Sequence, residues 1–305
     1  IEYFAYLRSM WFDGDLSFDN EYHYFYARGI ARAWRFKETF LDSETATGRR
    51  INFAPVGSAI LWAPFYVVTD AGVRVARRLG SDVAADGYST PYIASVVYAS
   101  ALYAFLALLL SAHAASRLIG DLRAATGAAL AVWTGTPILF YMYLAPGFSH
   151  ACSAFAVAAF VVLWLRVRRD WSLPGIAALG AMAAIMGMVR EQDLFIAVGP
   201  AIDYLVTAAR SAAVGATIAR GVAGVATCAV CYLPQIMSYQ VLFGRPAPSQ
   251  TVERKMTWTS PHAWQVLASP ENGLLFWTPL AVAALAGLVW LAARSWVACV
   301  CVVMV

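Results

Sequence analysis

A succession of long apolar runs constrains this chain more than any motif does. They lie at about 54–69, 91–113, 124–144, 149–165, 173–189, 194–209, 217–242, 273–293 and 295–305. Each run from 91 to 293 approximates the roughly 20 apolar residues that cross a bilayer as a helix. Only 13% of the residues are charged and 61% are hydrophobic, against about 25% charged in an ordinary soluble domain. The expected fold is therefore all-α, a polytopic transmembrane helical bundle with about 7–8 membrane helices. Several runs are rich in Ala and Gly, which lets helix backbones approach closely in lipid.

The net charge of +4 is small. Lys and Arg are not interleaved with aromatic residues into a stripe, so no nucleic-acid partner is expected. Of the five cysteines, Cys228 and Cys231 form a C-x-x-C inside an apolar run, with no strand before it. Small core residues are the expected reading, and a metal or redox use is the alternative. The first residue is Ile1, and the last run is half the length of a span. A fragment with at least one helix missing upstream is expected.

The short connectors suggest sidedness, because Lys and Arg favour the cytoplasm. If every run from 91 to 293 crosses, Arg117/Arg123, Arg166/Arg168/Arg169, Arg210/Arg220 and Arg294 share one side, the cytoplasm. The run at 54–69 is short and holds Pro55 and Pro64. It is read as a juxtamembrane or re-entrant segment that does not cross. Residues 1–90 then form the first outer segment and 91–305 the bundle, with another outer loop at 243–272. Within the first segment, Tyr22, Phe25, Ile30 and Trp34 recur at helical spacing, with Arg28, Arg32 and Arg35 on the other side. An amphipathic surface helix over Asn20–Phe40 is expected, with Gly29 as its weak point.

Several segments carry a family resemblance. They are YFAYLRSMWFDGDLSF at Tyr3–Phe18 with Asn20-Glu21-Tyr22, PVGSAILWAPF at Pro55–Phe65, Gly135-Thr-Pro, PGFSH ending at His150, VREQDLF at Val189–Phe195, and GLLFWTP at Gly273–Pro279. Taken in order, they resemble bacterial membrane glycosyltransferases of the GT-C superfamily, nearest the family-39-like members. The resemblance implies a multi-pass inner-membrane protein of the cell envelope that uses a polyprenyl-phosphate-linked sugar. It also implies an acidic general base in the first outer loop, at or just before the start of this chain, with an active site facing the periplasm.

Such a transfer needs a carboxylate to deprotonate the acceptor and a positive charge for the leaving phosphate. Glu2, Asp13 and Asp15 are the catalytic candidates, Asp13-Gly-Asp15 being a carboxylate pair on a turn. The alternative for that pair is a solvated, helix-capping turn. Glu21 is read mainly as a surface-helix charge and also as an acceptor contact. Arg190, Glu191 and Asp193 interrupt two apolar runs, where ionisable groups are costly unless paired or hydrated. Arg190 is assigned to the donor phosphate, the alternative being an ion pair in a solvated loop. His150 opens a run and is read as a phosphate or acceptor ligand or an interfacial cap. Arg254 and Lys255 are candidates for anionic head groups. A divalent metal held by carboxylates is the alternative partner for the phosphate. Asp203 lies within a run, as a packing or proton-pathway residue. Membrane lipid is an expected partner, and the acceptor is not specified. The competing functions are a lipid or sugar transporter, which predicts internal repeats and mid-membrane polar groups, and a non-catalytic subunit on the same scaffold.

Overall fold

The computed structural model describes residues 1–253, 262–271 and 273–294. Arg254, Lys255, Cys299, Cys301 and the whole of the last apolar run, 295–305, lie outside the described residues. Among the described residues every regular element is helical, and the nearest approach to a strand is the isolated bridge between Glu44 and Arg50.

In chain order the α-helices are α1 (Glu2–Arg8), α2 (Asp19–Ala27), α3 (Gly57–Arg78), α4 (Thr90–Ile119), α5 (Leu122–Gly135), α6 (Ile138–Tyr143), α7 (His150–Val167) and α8 (Leu173–Val189). They continue with α9 (Val198–Ala208), α10 (Val214–Cys231), α11 (Leu233–Phe243), α12 (Gln250–Glu253), α13 (Ala263–Ala268), α14 (Leu274–Trp277) and α15 (Leu280–Arg294). Four of these, α3, α4, α7 and α10, are long and apolar enough to cross a membrane, while α8 and α15 are shorter apolar helices.

Proline placement explains why fewer long helices form than there are apolar runs. Pro137, between α5 and α6, and Pro279, between α14 and α15, each divide one run into two helices. Pro234 sits in the first turn of α11, so the run 217–242 becomes α10 followed by α11. A proline gives no N–H to the carbonyl one turn back and clashes with it, yet it is tolerated in a first turn. The run 194–209 is likewise divided, into a 3₁₀ segment at Glu191–Ala197 and α9.

Pro64 behaves differently. The sequence suggests a short, proline-broken segment at 54–69, but α3 passes through Pro64 and continues to Arg78. The Ile60 carbonyl loses its usual donor there, and the adjacent Leu61 carbonyl accepts a hydrogen bond from Tyr103 Oη at 2.8 Å. That side-chain bond ties α3 to α4 one residue past the carbonyl that Pro64 leaves without its donor. At 22 residues α3 is long enough to cross, although its mean hydropathy of 1.2 is the lowest of the four. Its last third carries Asp70, Arg74, Arg77 and Arg78.

The chain divides into two compact units. The first comprises Ile1–Tyr103, Tyr141–Cys152 and Leu233–Met256, and the second Ala104–Phe140, Ser153–Tyr232 and Thr257–Val305.

The core of the first unit is aromatic. Tyr6, Phe18, Tyr22, Trp62, Tyr66 and Tyr92 are fully buried. Phe4 meets Phe25 and Tyr66 edge-on at centroid distances of 5.7 and 6.0 Å, and Tyr6 meets Phe18 at 5.0 Å. Such pairs add roughly 0.5–1.5 kcal/mol each beyond the area they bury.

The expected surface helix over Asn20–Phe40 is corrected by this packing. Helix α2 stops at Ala27, and Gly29 adopts a left-handed φ of 65°. Tyr22 and Phe25 turn into the core, whereas Ile30 and Trp34 are exposed. The four positions therefore share no face.

The second unit packs through small residues. Ile176, Leu179, Ala183 and Met186 of α8 join Phe160, Trp164 and Val167 of α7 in one buried cluster. Helix α8 also lies against α10 so closely that a Cβ on Gly180 would fall 2.1 Å from the Gly224 carbonyl oxygen. Cys228 and Cys231 are free thiols on α10, both partly buried.

Candidate functional site

The first unit contains a cleft of about 690 Å³ lined by Met10, Gly14, Asp15, Leu16, Arg49, Val56, Ile60, Pro234, Met237, Ser238 and Val241. Each wall has a local cause. Helix α1 runs into a π turn, Ser9–Asp13, which Gly14 ends with a left-handed φ of 71°. That turn directs Asp15 back toward Ser9, whose Oγ donates to Asp15 Oδ1 at 2.8 Å, and the Ser17 N–H donates to the same oxygen at 2.9 Å. Among the described residues Asp15 Oδ2 has no hydrogen-bond partner.

Arg49 reaches the cleft from a tight loop. Gly48 at φ 73° closes that loop, in which the Thr45 N–H donates to the Arg49 carbonyl at 2.8 Å. Thr47 Oγ1 fastens it by donating to the carbonyls of Val241 and Leu242, at 3.1 and 2.8 Å, on α11. The neighbouring Arg50 is taken up by Asp19 at 2.7 Å and Glu44 at 3.5 Å. Arg49 is partly buried and makes no ion pair among the described residues. A half-buried guanidinium without a carboxylate partner is an anion-receptive group. The remaining wall, contributed mainly by α3, α11 and the π turn, is apolar except for Ser238.

Beside the cleft is a network centred on Arg8. Its Nη1 donates to Glu21 Oε1 at 3.0 Å and pairs with Asp13 Oδ2. Asn20 Nδ2 also donates to Asp13 Oδ2, at 2.8 Å. The guanidinium lies over the Tyr88 ring at 4.5 Å. Gly87, with φ 81°, makes the close passage beneath possible: a Cβ there would lie 2.6 Å from Tyr66 Oη and 2.8 Å from the Phe12 ring.

Glu21 is not the surface charge that the sequence suggests. It is fully buried, and its Oε2 has no partner among the described residues. Burial pushes its carboxyl up to about 7, against the lowering effect of the Arg8 hydrogen bond. A residue read as solvated is thus the most desolvated carboxylate of this unit.

The other sequence candidates divide between the units. Glu2 Oε1 accepts from the Phe53 N–H at 2.9 Å, and the Glu2 carbonyl accepts from Asn52 Nδ2 at 3.0 Å, so Glu2 tethers residues 52–53 to α1. His150, at the start of α7, is packed against Tyr141 with ring centroids 3.8 Å apart. Arg190, Glu191 and Asp193 belong to the second unit, where α8 ends and the 3₁₀ segment begins. Gln192 Oε1 accepts from Arg190 Nε at 3.1 Å. Ser153 Oγ donates to Asp193 Oδ2 at 2.6 Å, and burial holds the Asp193 carboxyl above its ordinary range. Asp203, also in the second unit, accepts from Arg168 Nε at 2.8 Å and Trp164 Nε1 at 2.9 Å, which gives it a helix-anchoring role.

Asp13, Asp15 and Glu21 are therefore brought together around Arg8, Ser9 and Gly14. Sequence reasoning missed Arg8, Arg49, and the Asp70 cluster on α3, where Tyr92 Oη donates at 2.6 Å and Trp11 Nε1 at 3.2 Å. For Arg49 the signal was the Thr-Gly-Arg-Arg turn, which holds two adjacent arginines on a glycine. Among the described residues no three His, Cys, Asp or Glu side chains gather into a metal-binding group.

No family model, curated protein or solved structure matches this chain.

Proposed function

We propose that this protein is a membrane glycosyltransferase that moves a sugar from a polyprenyl-phosphate donor to a hydroxyl acceptor. The observation that carries the reading is the cleft, in which Asp15 and Arg49, which has no ion pair among the described residues, share a mainly apolar wall. This is the combination that a lipid-linked sugar phosphate requires. Met10, Val56, Ile60, Met237 and Val241 accommodate isoprenyl chain, and Arg49 binds the phosphate. Asp15 takes the acceptor proton as the acceptor oxygen attacks the anomeric carbon. The bond from that carbon to the phosphate oxygen breaks, and polyprenyl phosphate leaves with the electron pair. Arg8 and Glu21 act through position, holding the turn that presents Asp15.

The arginine-bearing connectors support a reaction on the outer face of the inner membrane, because Lys and Arg favour the cytoplasmic side. That assignment requires α3 to lie along the interface, a placement favoured by the charges in its last third. Cysteine labelling of Ser43→Cys in intact cells tests it, and reaction from the outside is the expected result.

The activity test uses the intact protein with a polyprenyl-phosphate sugar. Asp15→Asn lowers transfer by on the order of 10²–10⁴-fold, and Arg49→Ala raises the donor concentration needed for half-maximal rate. Arg190→Ala, in the second unit, is the comparison arm, with wild-type transfer expected. Wild-type rates in both Asp15→Asn and Arg49→Ala would remove the cleft from the chemistry.

A further inference from the structure

The second unit contains a cavity of about 430 Å³ lined by His113, Arg117, Val162, Leu165, Arg166 and Arg169. Among the described residues no carboxylate lines it. Arg117 belongs to the last turn of α4 and Arg166 to the last turn of α7. Arg168, which lines a smaller adjoining cavity, is neutralised by Asp203. Arg117, Arg166 and Arg169 make no ion pair among the described residues.

Cations at helix C-termini are ordinary, since the helix dipole and membrane sidedness both favour them. Those effects account for the arginines but not for the concavity they line, nor for what adjoins it. His113 also lines a second cavity of about 270 Å³, which runs between α4 and α5 along Phe105, Leu109, Ala112, Ala129, Leu130 and Trp133. A cationic basin and an apolar trough thus adjoin, with the His113 side chain lining both. Helix α4 has 30 residues and is about 45 Å long, against roughly 30 Å of hydrocarbon. Its Arg117 end therefore extends to the head-group level while Phe105 and Leu109 remain at acyl-chain depth.

We infer that this paired cavity binds an anionic phospholipid, its phosphate among His113, Arg117, Arg166 and Arg169 and one acyl chain in the trough between α4 and α5. Charge complementarity selects this occupant. A zwitterionic lipid brings its own cation into a site that already holds several, and a free phosphate leaves the trough unused. The site is independent of the transferase cleft and stands whether or not that reading survives.

Native mass spectrometry and a fluorescence titration on the purified protein test it, with phosphatidylglycerol, phosphatidylcholine and glycerol phosphate as probes. Phosphatidylglycerol is expected to bind at least tenfold more tightly than phosphatidylcholine, with an affinity that falls as salt rises. The double variant Arg117→Gln/Arg166→Gln loses roughly tenfold or more, since each interfacial cation is worth about a fivefold factor. Ala129→Trp fills the trough while leaving every charge in place, and it also weakens lipid binding. Retained cooperative unfolding shows that the variants are folded, and Arg166→Glu alone replaces the double variant if it is not. Equal affinity for phosphatidylglycerol and phosphatidylcholine overturns the inference. So does glycerol phosphate binding as tightly as the lipid, or lipid binding unchanged in Ala129→Trp, either of which makes this a free-anion site.

Discussion

The two units stabilise buried polar groups by opposite means. In the first, carboxylates are embedded in an aromatic core and share partners, with Arg8 serving both Asp13 and Glu21. In the second, Asp203 is held by Arg168 and Trp164 beside an apolar cluster, and α8 meets α10 through glycines. The difference bears on function. A shared partner leaves one carboxylate oxygen of Glu21 unsatisfied and its proton affinity adjustable, whereas a dedicated pair locks its carboxylate as an anchor. Such an orphaned buried oxygen is uncommon and requires a reason, and here it stands beside the candidate cleft.

The comparison breaks most readily at Asp203. Asp203→Ala strands Arg168 and removes a Trp164 partner, and losing one member of a buried pair costs about 3–5 kcal/mol. A large fall in unfolding temperature in detergent is expected, and an unchanged midpoint would show that Arg168 relaxes into water.

Glu21 gives the next effect, and its sign is opposite to that of an ordinary paired carboxylate. Its folded-state value of about 7 lies above the ordinary 4.5. The folded state therefore binds more protons between those values, and stability falls as pH rises through that window. The full effect is at most about 3 kcal/mol at 1.36 kcal/mol per unit. Melting curves between pH 5 and 8 should show the loss in the wild type and a flatter profile in Glu21→Gln.

Gly180→Val tests the close packing of the second unit. Its added atoms meet the Gly224 backbone, which has no rotamer with which to yield, and overpacking of this kind costs typically 1–3 kcal/mol. The same change at Gly127, which has open space around it, should leave packing intact and serves as the control. The smallest effect belongs to the rim of the first unit. Arg245 and Glu253 pair at 2.8 Å but are both partly exposed, so Glu253→Gln should cost less than about 1 kcal/mol. A larger shift would mean that this pair belongs to the core network.

Much of the helical character was legible in the sequence. Apolar runs dictate helices because a bilayer leaves no other way to satisfy the backbone, and α4, α7 and α8 follow their runs closely. The two acidic residues of the Asp13-Gly-Asp15 turn were legible for a similarly local reason, since Gly14 supplies the backbone geometry. Glu21 and Arg49 were not. A spacing of three or four residues says that side chains share a face, but not whether that face meets water or another element. Phe4 and Tyr88 bury α2 only once their own segments are in place.

The amino-acid sequence by itself determined that this chain is helical and apolar enough for a membrane, and where glycines and prolines permit turns. Only the tertiary structure decided that Pro64 is bridged while Pro137 and Pro279 break, that Glu21 loses its water, and that Asp15 and Arg49 line one cleft. The reason is physical: backbone hydrogen bonding and hydrophobic periodicity act over one or two turns. Desolvation and ion pairing depend on which remote segments arrive, here the Tyr103 hydroxyl, the Arg8 guanidinium and the end of α11.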